Sequence, residues 1–270
     1  MLGDEKAFEI WNPLGLPKKS FEMCDQRLSH DQIDKFRRTG HLTVPDVFDD
    51  ATIRAVLADL SNWSQQFLET LPENRRTWYL EGDEQRSQLR KLDHPVFNRP
   101  AFAELARDPQ LIDRVQQLIG EGVHVFFSQV FMKPPEVGGP KPIHQDNFYF
   151  GPDDHNATLT VWIALDDATI QNGCLRYGDR HLDHVIPHFA PEGEPFNLQI
   201  DGVAAEDYSM SPAPVSSGGV SFHHGNSLHQ SSANTSDQPR RAVAFHYLRN
   251  DARLIHPALD YDPKLCVPVT

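Results

Sequence analysis

Cysteine is scarce: Cys24, Cys174 and Cys266 are the only three in 270 residues. They are too few and too scattered for a disulfide framework, and no pair has the spacing of a zinc knuckle. A reducing compartment, the cytoplasm, is therefore expected. No run of about 18 apolar residues occurs, so no membrane-spanning helix is expected. Met1 to Lys6 carries acids early and lacks the apolar stretch of a secretory signal. Basic residues are the scarcer charge: 25 Lys and Arg stand against 38 Asp and Glu, for a net charge of −13. Such a surface repels phosphate backbones and sets nucleic acid aside as a partner. It also disfavours a bulky polyanionic substrate, unless a local basic pocket overrides the average. A His-Glu-X-X-His zinc motif is absent.

The remaining composition, 39% hydrophobic and 23% charged, is that of a globular chain. Its length suits one large domain. Residues 1–28 read as an N-terminal arm, because Pro13 and Pro17 interrupt any helix. Residues 29–270 read as a single domain. Its first part, about 29–120, is helical, with a short strand-like stretch from Leu42 to Phe48. Ser29 and Gln32 have capping-box spacing, and Gly40 is placed to end that helix. Asp49 or Asp50 caps a second, with Ile53, Val56, Leu57 and Leu60 on one face. Asp108-Pro109 opens a third, which Gly120 stops.

After Gly120 the period changes to that of short strands, expected over 123–133, 143–150, 157–166, 174–177, 197–200, 219–222 and 241–248. Helices first and antiparallel strands after give an α+β chain, with a helical layer on a β barrel or sandwich occupying about 121–250. Residues 178–216, rich in Pro, Gly and acids, read as a lid-like excursion. Residues 251–270 are left as a C-terminal tail.

The residues that carry chemistry begin with His144-Gln145-Asp146 inside the expected strand 143–150. On a strand, residues two apart face the same side, so the imidazole and the carboxylate are expected to converge. They are two thirds of a 2-His-1-carboxylate triad, which leaves positions open on iron(II) for oxygen chemistry. A bare His-X-Asp triplet more often lies on a solvated face, so the third donor decides. Phe222 to His229 offers His223, His224 and His229. Asn234 to Arg241 and a further strand follow, with Arg240, Ala242, Ala244 and His246 on one face. On the strand before the motif, Gln129 and Lys133 share a face with Phe131. If 143–150 is a strand, Phe148 and Phe150 share the face of His144 and Asp146, while Tyr149 points away from it. His181, His184 and His188 have spacings that admit a second metal site. Ordinary structural roles are favoured for His223 and His224 over contacts to a metal ligand.

These motifs resemble the phytanoyl-CoA dioxygenase family of iron(II)- and 2-oxoglutarate-dependent oxygenases. The resemblance covers roughly residues 29 to 250. It is carried by Lys133-Pro134-Pro135 ahead of His144-Gln145-Asp146, by Asn172-Gly173-Cys174-Leu175, and by the block from His224 to Tyr247. It implies a double-stranded β-helix, or jelly-roll, core. It implies His144, Asp146 and His229 as iron ligands and Arg240, eleven residues beyond His229, as partner of the far carboxylate of 2-oxoglutarate. Trp162, Ser231, Gln129 and Lys91 match further cosubstrate positions. The implied cofactors are Fe(II), 2-oxoglutarate and O2. The implied reaction is oxidation, chiefly hydroxylation, of a C–H bond in a small molecule, with 2-oxoglutarate leaving as succinate and CO2. Arg176-Tyr177-Gly178-Asp179 departs from the family's usual turn after Leu175, which affects that loop and not the iron motif. Two other readings stand beside it: a cupin-type metal enzyme that uses no 2-oxoglutarate, and a non-catalytic small-molecule-binding homologue.

Overall fold

The computed structural model describes residues 27–82, 87–192, 197–259 and 261–270. Most of the expected arm, with Pro13, Pro17 and Cys24, lies outside them, as do residues 193–196 of the excursion. The helix starts follow local chemistry. Ser29 and Gln32 form the reciprocal capping box of helix His30–Thr39, and Gly40 closes it at φ 76°. Asp49 caps Asp50–Thr70 through the Thr52 amide. Asp108 caps Pro109–Ile119 through the amides of Gln110 and Leu111. Two shorter helices, Pro95–Asn98 and Pro100–Ala106, each open on a proline and fall where the sequence had shown no pattern. Among the described residues no helix is long and apolar enough to cross a membrane.

Two antiparallel sheets face one another as a jelly roll. The larger runs in the order His41–Val44, Val220–His224, Thr158–Ala164, Arg240–Arg249, Val123–Lys133 and Val267–Pro268, with Lys91–Asp93 also paired to Val123–Lys133. The smaller runs Met210–Ala213, Leu175–Gly178, His229–Ser231, Lys141–His144. The barrel is therefore not confined to about 121–250: the helical layer and the tail each lend it strands.

Alternation divides the larger sheet cleanly. Leu159, Val161, Ile163, Val243, Phe245 and Tyr247 join the main core. Helical residues such as Phe36, Ile53, Leu60, Phe102 and Leu111 cover them there. Trp162, Ala164, Ala242 and Ala244 turn to the barrel interior. A register shift opposite His246/Tyr247 adds one residue to the facing strand, and Phe126 and Phe127 both pack against His246 there. An extra residue that re-aims side chains is what a β-bulge provides.

The expected strand 143–150 is corrected. The strand Lys141–His144 stops, and Asp146–Phe150 is a short helix ended by Gly151 at φ 56°. Long-range hydrogen bonds override the local alternation. The Asn147 amide donates to the Gly225 carbonyl at 2.8 Å, and its side chain donates to Asn226 Oδ1 at 2.7 Å. Gly225 must be glycine here, because a Cβ would collide with Asn147 Oδ1 and Thr158 Oγ1. The turn changes the facing of the aromatics: Tyr149 and Phe150 both line the interior cavity, whereas Phe148 stacks on His188 at 4.3 Å.

Candidate metal centre

His144 ends one strand of the smaller sheet and His229 begins the neighbouring one, and the two are direct cross-strand partners. Asp146, one helical step past Gln145, reaches between them. Asp146 Oδ1 lies 3.8 Å from His144 Nε2 and 3.6 Å from His229 Nε2. All three residues are buried, and each offers one donor atom within 4.8 Å of the others. Their convergence thus holds as expected, although strand alternation is not its cause.

The protonation chemistry suits a metal. His144 Nδ1 donates to the Pro142 carbonyl at 2.8 Å, and His229 Nδ1 to the Ser227 carbonyl at 3.0 Å. Each neutral ring then keeps its Nε2 lone pair turned towards Asp146. Burial, then the neighbouring His229, pushes His144 well below the ordinary histidine range. Burial, then His223, lowers His229 to about 4, against the upward pull of Asp146. Burial opposes the charge on Asp146, but the adjacent His229 and the hydrogen bond from His223 outweigh it and hold the carboxyl well below its usual range. Two neutral imidazoles and one carboxylate at such distances are a donor set that iron(II) fits.

The eight residues implied by the resemblance, His144, Asp146, His229, Arg240, Ser231, Trp162, Gln129 and Lys91, line one cavity of about 200 Å³. Arg240 is 3% exposed, its Nε has no hydrogen-bond partner among the described residues, and its guanidinium stands 5.5 Å from the Trp162 ring. Burial lowers its pKa only to about 10, so it stays cationic at neutral pH. A buried cation of this kind calls for an anion. Ser231 is buried in the same wall. Gln129, Phe131 and Lys133 do share the cavity-lining face. Lys91 and Gln129 are less available than Arg240, because both bind Asp93: Lys91 Nζ at 3.2 Å and Gln129 Nε2 at 2.8 Å from Oδ1. Asp93 itself had no sequence signal beyond its alternation with Lys91. Lys133 and Lys141 also line the cavity, and the sequence reading had missed Lys141.

Other histidines separate. His181 packs edge-on against His224, His184 is exposed beside Asp183, and His188 accepts from the Gln145 amide. Among the described residues the one cluster able to hold a metal is His144, Asp146 and His229. His224 has the structural role expected of it, accepting from the Asn226 amide at 3.0 Å. His223 does not: its Nε2 donates to Asp146 Oδ2 at 3.1 Å. The expectation of an ordinary structural role for His223 is corrected by its register, which sets it opposite Thr160 on the inner face.

The phytanoyl-CoA dioxygenase family model matches residues 36–242. Phytanoyl-CoA dioxygenase domain-containing protein 1 of Danio rerio is 30% identical over 177 residues, covering 63% of this chain and 60% of that protein. The chain therefore spans about 60% of the length of that curated relative. A probable alpha-ketoglutarate-dependent hypophosphite dioxygenase of Stutzerimonas stutzeri is 26% identical over 222 residues, covering 79% of this chain and 76% of that protein. Among solved structures, the non-heme alpha ketoglutarate dependent carbocyclase SnoK from nogalamycin biosynthesis superposes with a TM-score of 0.70 at 23% identity, covering 90% of this chain and 97% of that one. Because the family model spans most of the described chain and the fold agrees, the chain belongs to the phytanoyl-CoA dioxygenase family.

Proposed function

We propose that the protein is an iron(II)- and 2-oxoglutarate-dependent oxygenase that hydroxylates a C–H bond of a small molecule. The observation that carries the reading is Arg240: a buried guanidinium whose Nε has no hydrogen-bond partner among the described residues, in the cavity that also holds the three donors. When bound, iron(II) with 2-oxoglutarate and O2 supplies the power to oxidise a C–H bond, leaving succinate and CO2. His144, Asp146 and His229 would hold the metal. Arg240 presents a planar fork suited to the far carboxylate of 2-oxoglutarate, with the Ser231 hydroxyl beside it. Trp162 backs the guanidinium and keeps water from it. Lys91 and Gln129, fixed through Asp93, are proposed as further contacts to the cosubstrate. Phe127, Tyr149, Phe150 and Leu259 give the cavity apolar walls for the carbon skeleton of the substrate.

The direct test is anaerobic. Iron(II) followed by 2-oxoglutarate should bind one to one and give a visible absorption band, and admission of O2 should yield succinate. Metal binding with no band and no succinate would replace this reading with the cupin-type one. No metal binding at all would leave a binding homologue.

Residues 29–270 are proposed to act as one oxygenase domain, with the excursion 178–216 as its lid up to Met210–Ala213, which is a strand of the smaller sheet. Gln145 ties the excursion to the centre: its side chain donates to the carbonyl of His184 at 2.9 Å and accepts from the amide of Ile186 at 2.7 Å. The Tyr149 hydroxyl donates to the Leu198 carbonyl at 3.2 Å, and Asn197 lines the cavity. A long loop anchored on the element that carries a metal donor is placed to respond to what binds there. Hydrogen exchange is expected to slow in 178–216 when iron(II), 2-oxoglutarate and substrate are added. Equal protection in every state would remove the lid role.

A further inference from the structure

Asp146 has two carboxylate oxygens with different surroundings. Oδ1 faces the Nε2 atoms of His144 and His229. Oδ2 points the other way and receives two hydrogen bonds, from Thr160 Oγ1 at 2.5 Å and from His223 Nε2 at 3.1 Å. An ionised carboxylate only accepts, so both neighbours must donate. Behind His223, its Nδ1 meets the Tyr177 hydroxyl at 3.0 Å. That hydroxyl also shares a hydrogen bond with Ser221 Oγ at 2.7 Å. Thr160 spends its proton on Asp146, so it accepts from His246 Nδ1 at 2.8 Å.

The two branches are built by the sheet itself. His223, Thr160 and His246 are direct cross-strand partners on three adjacent strands, forming one row across the inner face. All three are at least nine-tenths buried, as are Tyr177 and Ser221 behind them. Hydrogen bonds are strong in such surroundings, so the two donors determine which way the carboxylate faces.

We propose that Thr160 and His223 are positioning residues that clamp Oδ2 and restrict Asp146 to binding the metal through one oxygen. This rests on the iron and 2-oxoglutarate reading above. Its consequence is the number of open positions. A carboxylate that swings to bind through both oxygens consumes a position that 2-oxoglutarate or O2 requires. The clamp blocks that swing by occupying the second oxygen with charge-assisted hydrogen bonds. Ser221, Tyr177 and His246 hold the two clamping groups in the correct tautomer and rotamer.

The test reads the metal site without turnover. Apo-protein is loaded with cobalt(II), whose visible spectrum reports coordination, and 2-oxoglutarate is then titrated into the metal-saturated form. Thr160→Val keeps the shape and removes the donor. It is expected to weaken cobalt(II) binding about 10- to 100-fold, to change the cobalt(II) spectrum, and to weaken 2-oxoglutarate binding to the loaded protein. Thr160→Ser restores the donor and should restore all three. His223→Leu and His223→Gln form a second, independent pair with the same expected contrast, and decide the matter if Thr160→Val does not fold. Wild-type spectrum and affinities in Thr160→Val or His223→Leu would overturn the clamp. Failure of the wild-type protein to bind cobalt(II) would instead remove the metal reading on which the clamp depends.

Discussion

Asp146→Ala is expected to abolish turnover and to lower iron(II) affinity by more than the roughly 100-fold that loss of an outer hydrogen-bond partner produces. Asp146 brings the only negative charge among the three donors, and it sits 6% exposed. Without it, two neutral imidazoles would have to draw a dication out of water into a low-dielectric interior, a transfer that is costly for any uncompensated charge. His229→Ala should also abolish turnover, since it removes a donor whose Nδ1 is already fixed by the Ser227 carbonyl. His181→Ala and His184→Ala are the contrasting pair. Their rings lie against His224 and Asp183, respectively, and should leave turnover largely intact. The measurement is iron(II) affinity by chelator competition, alongside succinate release. Full activity in His229→Ala would move the third donor to His223, whose ring centroid lies 4.3 Å from that of His229.

The parts of this fold legible in the sequence are those whose causes are local. Ser29 with Gln32, Asp108 with Pro109, and Gly120 mark helix ends through contacts within a few residues. Thr158–Ala164 and Arg240–Arg249 declare their two faces by alternation alone. Phe148 to Phe150 were misjudged for the opposite reason. What turns the chain at Asp146 is the carbonyl of Gly225 and the side chain of Asn226, 78 to 79 residues beyond the Asn147 groups that bind them. His223 is intermediate. Its parity with Ser221, opposite to the apolar pair Val220 and Phe222, marks an inner face, but contact with Asp146 follows only from its register against Thr160. Lys91–Asp93 is too short to carry a period, and so nothing beyond its place two residues after Lys91 marks Asp93, the group that engages both Lys91 and Gln129.

Arg240→Ala is expected to weaken 2-oxoglutarate binding by about 30-fold or more, while Arg241→Ala changes it little. The two neighbours point to opposite faces of one strand. Arg240 enters the cavity beside Trp162 and Ala244, where the small Ala244 side chain leaves room for a dicarboxylate. Arg241 turns out of the barrel and closes on Asp166, with Nε 2.8 Å from Oδ2 and Nη2 2.7 Å from Oδ1. A buried carboxylate deprived of its charged partner loses about 2–5 kcal/mol, and about 1.4 kcal/mol is tenfold in affinity, which gives the factor for Arg240. The Arg241 pair is partly exposed, and pairs of that kind are worth about 0–1 kcal/mol to stability, with no path to the cosubstrate. Iron(II) should still bind to both variants, because His144, Asp146 and His229 are untouched. Titration of 2-oxoglutarate into each iron-loaded variant decides the point. A larger loss in Arg241→Ala would assign the carboxylate to the wrong face of the strand. No loss in either would leave the buried guanidinium of Arg240 without an anion to meet, and the cupin-type enzyme would become the better account of the cavity.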